Sequence, residues 1–351
     1  MKKNTCVTSD ILRFPHPVLL SSSLKNKKIK EITLNGKKYV LYRDNNGNPV
    51  AFPIACPHRG ALLSKGKINK EGELVCAYHA WRINASGMAQ SPSVPNKNCE
   101  VHSLKTWDKY GFIWIANKNT PDEAFPEFTR PGYELIGRFS SHFNAPLKVA
   151  LDNFGEIEHA FKVHTFIGPG LNELNTVDFK VKIEEEQTFG FLNCKYRNLP
   201  GFLSSFFGIK KGDHYHNDWV FKFRPLHGSY RNYWTDKDNT VERPVSFIIT
   251  SFLVPINASE SKIQVFVQMS VKNKWLKLFY PILKLSTLLI TKYEIWADAG
   301  IARYAAEDPE DGTNWKLTYL DKQIMPNRKL MDKIYFQKVE TMELKEEEIN
   351  Y

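Results

Sequence analysis

Cys56-Pro57-His58-Arg59-Gly60 and Cys76-Ala77-Tyr78-His79-Ala80 are two short stretches that each pair one cysteine with one histidine. Residues 59–75 lie between them and include Gly60, Gly66 and Gly72, which supply turns and let backbone approach closely. Two thiols and two imidazoles in this order form a metal-ligand set. Zinc takes the same donors, but its finger spacing is C-x2-4-C followed by H-x3-5-H, whereas here each loop carries one of each. A disulfide between Cys56 and Cys76 is the other reading, and nothing upstream points to an oxidising compartment. The set suits a two-iron, two-sulfur cluster in which histidine replaces cysteine on one iron, raising the potential above that of an all-cysteine cluster.

The full string CPHRGALLSKG…ELVCAYHAWRI resembles the cluster-binding segment of Rieske proteins, which implies a [2Fe-2S] cluster held by Cys56, His58, Cys76 and His79. The surrounding chain agrees with a small β domain. After Lys30, the segment EITLNGKKYVLYRDNNGNPVAF alternates apolar and polar residues around Asn-Gly and Asn-Asn-Gly, a hairpin signal. Short strands are expected at Leu74-Val75, Trp81–Ile83 and Gly111–Ile115, with the two cluster loops at one tip. Pro121, Pro126 and Pro131 mark a link, so the expected division is 1–130 and 131–351, with second-domain structure beginning near Tyr133.

The stretch Asp152-Asn153-Phe154-Gly155-Glu156-Ile157-Glu158-His159-Ala160-Phe161-Lys162-Val163-His164 is the next one that carries chemistry. Histidines five apart do not share one face of an ideal helix, so His159 and His164 converge only if the helix ends or distorts between them. Two imidazoles and one carboxylate with open positions make the facial triad of non-haem Fe(II). Standing alone, the pair reads more readily as two surface histidines.

Downstream of a Rieske segment, N-F-x-E-x-x-H-x4-H resembles the mononuclear-iron motif of the Rieske non-haem iron oxygenases, and the resemblance runs from about Phe14 to about Asp332. It implies an α+β chain: an N-terminal all-β Rieske domain, then a helix-grip catalytic domain in which a twisted antiparallel sheet and covering helices enclose a cavity. It also implies His159 and His164 as iron ligands. The family places an Asp three residues before the first histidine, as a bridge from one subunit's cluster to the next subunit's iron; this chain has Glu156 there. Lys292–Ala302 reads as helix, and Trp296-Ala297-Asp298 fits the family's third-ligand pattern, with Glu294 and Asp308 as the nearest rivals to Asp298. Strands around Trp219–Phe221 and Ser246–Thr250 are candidates to line the cavity.

At 351 residues, with hydrophobic content of 42%, the chain is long enough for about two domains with real cores. Cys6, Cys99 and Cys194 remain outside the cluster and read as reduced thiols. MKKNTCVTSDILRF has no apolar run behind its lysines, so a cytoplasmic setting is expected. Leu276–Ile290 is apolar but broken by Lys277, Pro281 and Lys284, and is expected as a buried or amphipathic helix over the catalytic domain. Peripheral membrane contact is its secondary reading. The net charge of +10 suggests nucleic acid in general, but bases and acids are interspersed and Glu343–Glu348 is acidic; no nucleic-acid role is expected. Steering of an acidic electron donor is the more economical reading.

No G-x-G-x-x-G stretch is present for NAD or flavin, so the resemblance implies a separate ferredoxin or flavin reductase as donor. It further implies O2 and a small organic substrate, a mononuclear Fe(II) beside the cluster, and a homotrimer. The expected function is a terminal mono- or dioxygenase of the demethylase-like and monooxygenase-like branch. A Rieske electron carrier and a small-molecule-binding module with an inactive iron site are the competing classes.

Overall fold

The computed structural model describes residues 10–338 except 95, 97, 197–203, 206 and 306–314. Three antiparallel sheets organise it. A six-stranded sheet runs in the order His16–Leu20, Phe112–Asn117, Leu104–Lys109, Pro49–Pro53, Lys37–Arg43, Lys30–Leu34. A five-stranded sheet of very short strands, Lys67–Ile68 through Asn98–Glu100, carries the second cysteine–histidine loop between Leu74–Val75 and Arg82–Ile83. The first loop follows strand Pro49–Pro53 of the six-stranded sheet. The Asn-Gly signal is met by Asn35 and Gly36, both at positive φ, between strands Lys30–Leu34 and Lys37–Arg43. Two positive-φ residues match the right-handed twist of the strands they join.

The third sheet has seven strands, ordered Glu134–Phe143, Ser261–Val271, Val245–Pro255, Leu226–Thr235, His214–Phe223, Gln187–Lys195, Asp178–Ile183. Val245–Pro255 is buried along its whole length, and Ser261–Val271 nearly so, as β-branched and aromatic runs covered on both faces should be. Helices α1 (Leu147–Gly155), α2 (Ala160–Val163), α3 (Tyr280–Ala305) and α4 (Ile324–Leu330) pack around this sheet. The expected α+β architecture, an all-β unit followed by an antiparallel sheet with helices, is the one observed.

Residue 130 falls between the last strand of the six-stranded sheet and the first of the seven-stranded one. The apolar core does not stop there. Phe112 and Trp114 stack and edge against Phe128, Phe252 and Phe266 within one continuous cluster. A second, smaller core of Val40, Tyr42, Phe52, Leu74, Trp81 and Ile83 lies beneath the two cysteines. The chain ends are tied across the same boundary. Buried His16 bonds the Phe14 carbonyl through Nδ1 and the Tyr335 hydroxyl through Nε2, both at 2.7 Å.

Candidate metal centres and the adjoining cavity

The two cysteine–histidine loops have matching backbones. In the first, Cys56 O accepts from Gly60 N (2.9 Å) and Cys56 N donates to Ala61 O (2.8 Å). In the second, Cys76 O accepts from Ala80 N (3.1 Å) and Cys76 N donates to Trp81 O (2.9 Å). The residue four beyond each cysteine is left-handed: Gly60 at φ 72° and Ala80 at φ 55°. Gly66 lies so close to Val75 O that a Cβ would sit 2.3 Å from it, so glycine is what lets the chain entering strand Lys67–Ile68 lie against the residue before Cys76.

Both cysteines are buried and unbridged, while His58 is exposed and its ring centroid lies 4.7 Å from that of His79. Trp81 stacks on His58 and fixes its plane. Burial pushes the Cys56 thiol up, and the backbone N–H groups of His58 and Arg59 act against it by donating to the sulfur. Buried sulfur, amide donors aimed at it and two adjacent imidazoles at the surface fit a [2Fe-2S] cluster, whose sulfurs are tuned by such hydrogen bonds.

The second centre lies where α1 ends. Gly155 closes that helix and Glu156 is extended; α2 then runs for a single turn with His159 at its start and extended His164 at its end. The helical turn therefore ends between the two histidines, with His164 extended, and the two rings come to 5.0 Å, nearly perpendicular. Asp298 reaches them from α3: its Oδ1 is 3.3 Å from His159 Nε2 and 3.0 Å from His164 Nε2. One ligand atom from each of the three lies within 4.8 Å of the others. Two imidazole nitrogens and one carboxylate oxygen at this spacing fit a mononuclear iron.

Electrostatics favour a cation there. Burial pulls the His159 pKa down, but Glu156 and Asp298 more than offset it and raise it to about 10. Burial would raise the Asp298 carboxyl, yet the two imidazoles hold it well below the usual range. Glu156 grips His159 twice: His159 Nδ1 donates to Oε1 at 2.5 Å, and the His159 backbone N–H to Oε2 at 3.0 Å. That fixes the tautomer and leaves Nε2 free to face Asp298. Glu156 thus holds its own subunit's histidine.

Glu294, one turn before Asp298 and equally buried at 3% exposure, is directed elsewhere. It accepts the backbone N–H groups of Thr165, Phe166 and Ile167 at 3.2, 2.6 and 3.1 Å, and so anchors the loop that leaves His164. The other rival, Asp308, lies outside the described residues. Sequence reasoning missed the Glu294 role and a second anchor, the buried ion pair of Asp152 with Arg328, which locks α1 to α4 (Arg328 Nε to Asp152 Oδ1 at 2.9 Å).

A cavity of about 100 Å³ opens beside the three ligands. Its walls are mainly apolar, with Phe154, Ile157, Leu192, Trp219, Ile249 and Ile295 among them. Trp219 is held by its Nε1 donating to Gln323 Oε1 at 2.7 Å, and its ring fills the space that Gly190 leaves on the paired strand. Of the two expected lining stretches, Trp219 and Ile249 face the cavity, while Val220 and Ile248 face the other side of the sheet, as strand alternation requires. Two wall atoms are buried without a partner: Asn153 Nδ2 and Ser251 Oγ.

Residues 14–108 match the family model of the Rieske [2Fe-2S] domain, so the chain contains such a domain, and its overall fold is shared with solved monooxygenase structures. Among solved structures it is similar to dicamba monooxygenase bound to dicamba, with a TM-score of 0.71 at 18% identity over 93% of this chain and 98% of that one. Among curated proteins it is 30% identical to chlorophyllide a oxygenase of Chlamydomonas reinhardtii over 45% of this chain and 25% of that protein. It is likewise 30% identical to the aminopyrrolnitrin oxygenase PrnD of Pseudomonas fluorescens, over 41% of this chain and 43% of that one. The matches thus span less than half the length of these curated relatives.

Proposed function

We propose that this protein is the terminal oxygenase of a multicomponent system, oxidising a small organic molecule with O2. The observation that carries the reading is the convergence of His159, His164 and Asp298 on one point beside a largely apolar cavity, in a chain that also has a Rieske domain. When bound, the cluster supplies single electrons and the iron a site for O2 activation.

The chain's own residues set the conditions for that chemistry. Glu156 keeps a proton on His159 Nδ1, so that Nε2 is presented as a ligand. Glu294 fixes the loop after His164 and thereby the direction of that ring. Phe154, Ile157, Trp219 and Ile295 keep water from the reacting centre. Asn153 Nδ2 and Ser251 Oγ are hydrogen-bond donors without partners, and leaving them so costs about 1–3 kcal/mol each. They favour a compact apolar substrate with an oxygen or nitrogen acceptor.

The electrons come from a separate ferredoxin or flavin reductase, and the working unit is a ring of three in which one subunit's cluster loops meet the Glu156 side of the next. Support comes from charge: Arg59 and Arg82 are exposed around the cluster tip, and Glu156, Glu158 and Asp321 line the groove outside His159. The compartment follows the reductase and is proposed as cytoplasmic. Oxygen uptake with a surrogate reductase, across aromatic, sterol-like and quaternary amine compounds, tests the reading. Substrate-dependent uptake with an oxygenated product is expected. A fully loaded protein that reduces and reoxidises its cluster but consumes no oxygen with any compound would make it an electron carrier.

A further inference from the structure

Helix α3 buries a mixed face and exposes an apolar one. Thr287, Thr291, Glu294 and Asp298 are buried at helical spacing together with Leu283, Ile295 and Ala302. Its outward face, continued back through Trp275, is apolar: Trp275, Leu278, Ile282, Leu285 and Leu289 recur every three to four residues and Trp296 follows two turns on, with exposures of 77%, 71%, 49%, 59%, 57% and 69%. An ordinary surface helix turns polar residues outward. The inward face is committed to the metal site and to strand Glu134–Phe143, where Leu288 packs directly against Gly137. Nothing in the chain's described residues covers the outward one.

The charges around this stripe have one sign. From Asn273 to Ala305 the only acids are Glu294 and Asp298, both buried, whereas Lys274, Lys277, Lys284, Lys292 and Arg303 are exposed. Glu134, the nearest acid in contact with the segment, is hydrogen-bonded to the Tyr280 hydroxyl.

We propose that the outer face of α3 seats this protein on an anionic lipid surface, the helix lying flat in the interface. An apolar stripe flanked by lysines with tryptophan at either end is the composition of an interfacial helix. Negative lipid headgroups answer a face with five exposed cations, where the exposed acid in contact, Glu134, is engaged by the Tyr280 hydroxyl. A two-fold pairing of this face with its own copy fits poorly, because it would set like charges against each other and lysine is depleted from such interfaces. Crossing is not implied: no helix among the described residues is long and apolar enough to span a membrane. The inference stands on the surface alone and does not depend on the oxygenase reading.

Flotation of the holoprotein with phosphatidylcholine vesicles, with and without phosphatidylglycerol, tests it. The protein should float with the phosphatidylglycerol vesicles at low salt and much less with the neutral ones. The double variant Leu285→Gln/Leu289→Gln, at two mostly exposed positions, should keep its melting temperature and bind roughly tenfold more weakly. Tryptophan emission should shift to the blue on adding vesicles, with a smaller shift in Trp296→Phe. No flotation, or equal flotation of the double variant, overturns the proposal. So does a concentration-dependent oligomer in light scattering that the double variant abolishes, which would give the face to another copy of the chain.

Discussion

The two candidate metal centres are built by opposite means. At the Rieske tip all four ligands come from positions 56–79, and matching main-chain hydrogen bonds shape each loop. At the second centre, Asp298 lies 134 residues from His164 in sequence, and side-chain contacts hold the candidate ligands: Glu156 grips His159 from three residues away, Glu294 of α3 anchors the loop behind His164, and Asp152–Arg328 ties α1 to α4. The local centre is set by its own turns. The assembled one is only as accurate as the packing of α3 against α1.

Removing a ligand from either centre breaks the comparison most directly. Asp298→Ala should lose about one iron per chain and lower oxygen-dependent turnover by more than about 100-fold, with the cluster's visible spectrum intact. Metal analysis beside absorption spectroscopy reads this; full iron and full activity would pass the ligand role to another acid. Cys76→Ser should do the converse, abolishing the cluster absorption while the mononuclear iron stays, since a hydroxyl is a poor cluster ligand. An unchanged EPR signal would remove Cys76 from the set.

The positioning residues should give smaller effects, and only at the assembled centre. Glu156→Gln should keep both metals and normal cluster reduction, with turnover reduced by about 10–100-fold, as for other groups that orient a ligating histidine. Single-turnover kinetics distinguish this from ligand loss. Glu294→Gln replaces a carboxylate that accepts three backbone N–H groups, and urea unfolding should show a loss of about 1.5–3 kcal/mol.

The smallest change should be a gain, at the tip. Ala80 holds φ 55°, where a Cβ costs about 1–2 kcal/mol, while glycine there adds about 0.4–1 kcal/mol of unfolded-chain entropy. Ala80→Gly should therefore raise stability by about 0.5 kcal/mol in denaturant titration and leave the cluster spectrum as it was. A loss would show that Ala80 makes contacts worth more than its strain.

The same contrast decides what the sequence made legible. The cysteine–histidine loops could be read because all their chemistry is local, and the Asn35-Gly36 turn for the same reason. His159 and His164 could be nominated, but spacing alone could not bring them together; that needed α2 to end after one turn with His164 extended. Asp298 and Glu294 both sit on the inward face of α3, so periodicity could not rank them. Only their partners do, one meeting imidazoles and the other backbone amides. The stretch 276–290 was expected as a buried or amphipathic helix, yet of its members in α3 only Leu283 and Thr287 are buried. Apolar residues are ordinarily assigned inward. The signal against that assignment was the polar row Thr287, Thr291, Glu294, Asp298, which could be read from sequence.

Because Glu294 and Asp298 stand one turn apart on a single helix, α3 works as a gauge block. One carboxylate meets the two imidazoles and the other holds segment 165–167, so the rise of one helical turn sets the offset between the metal-facing oxygen and the loop that leaves His164.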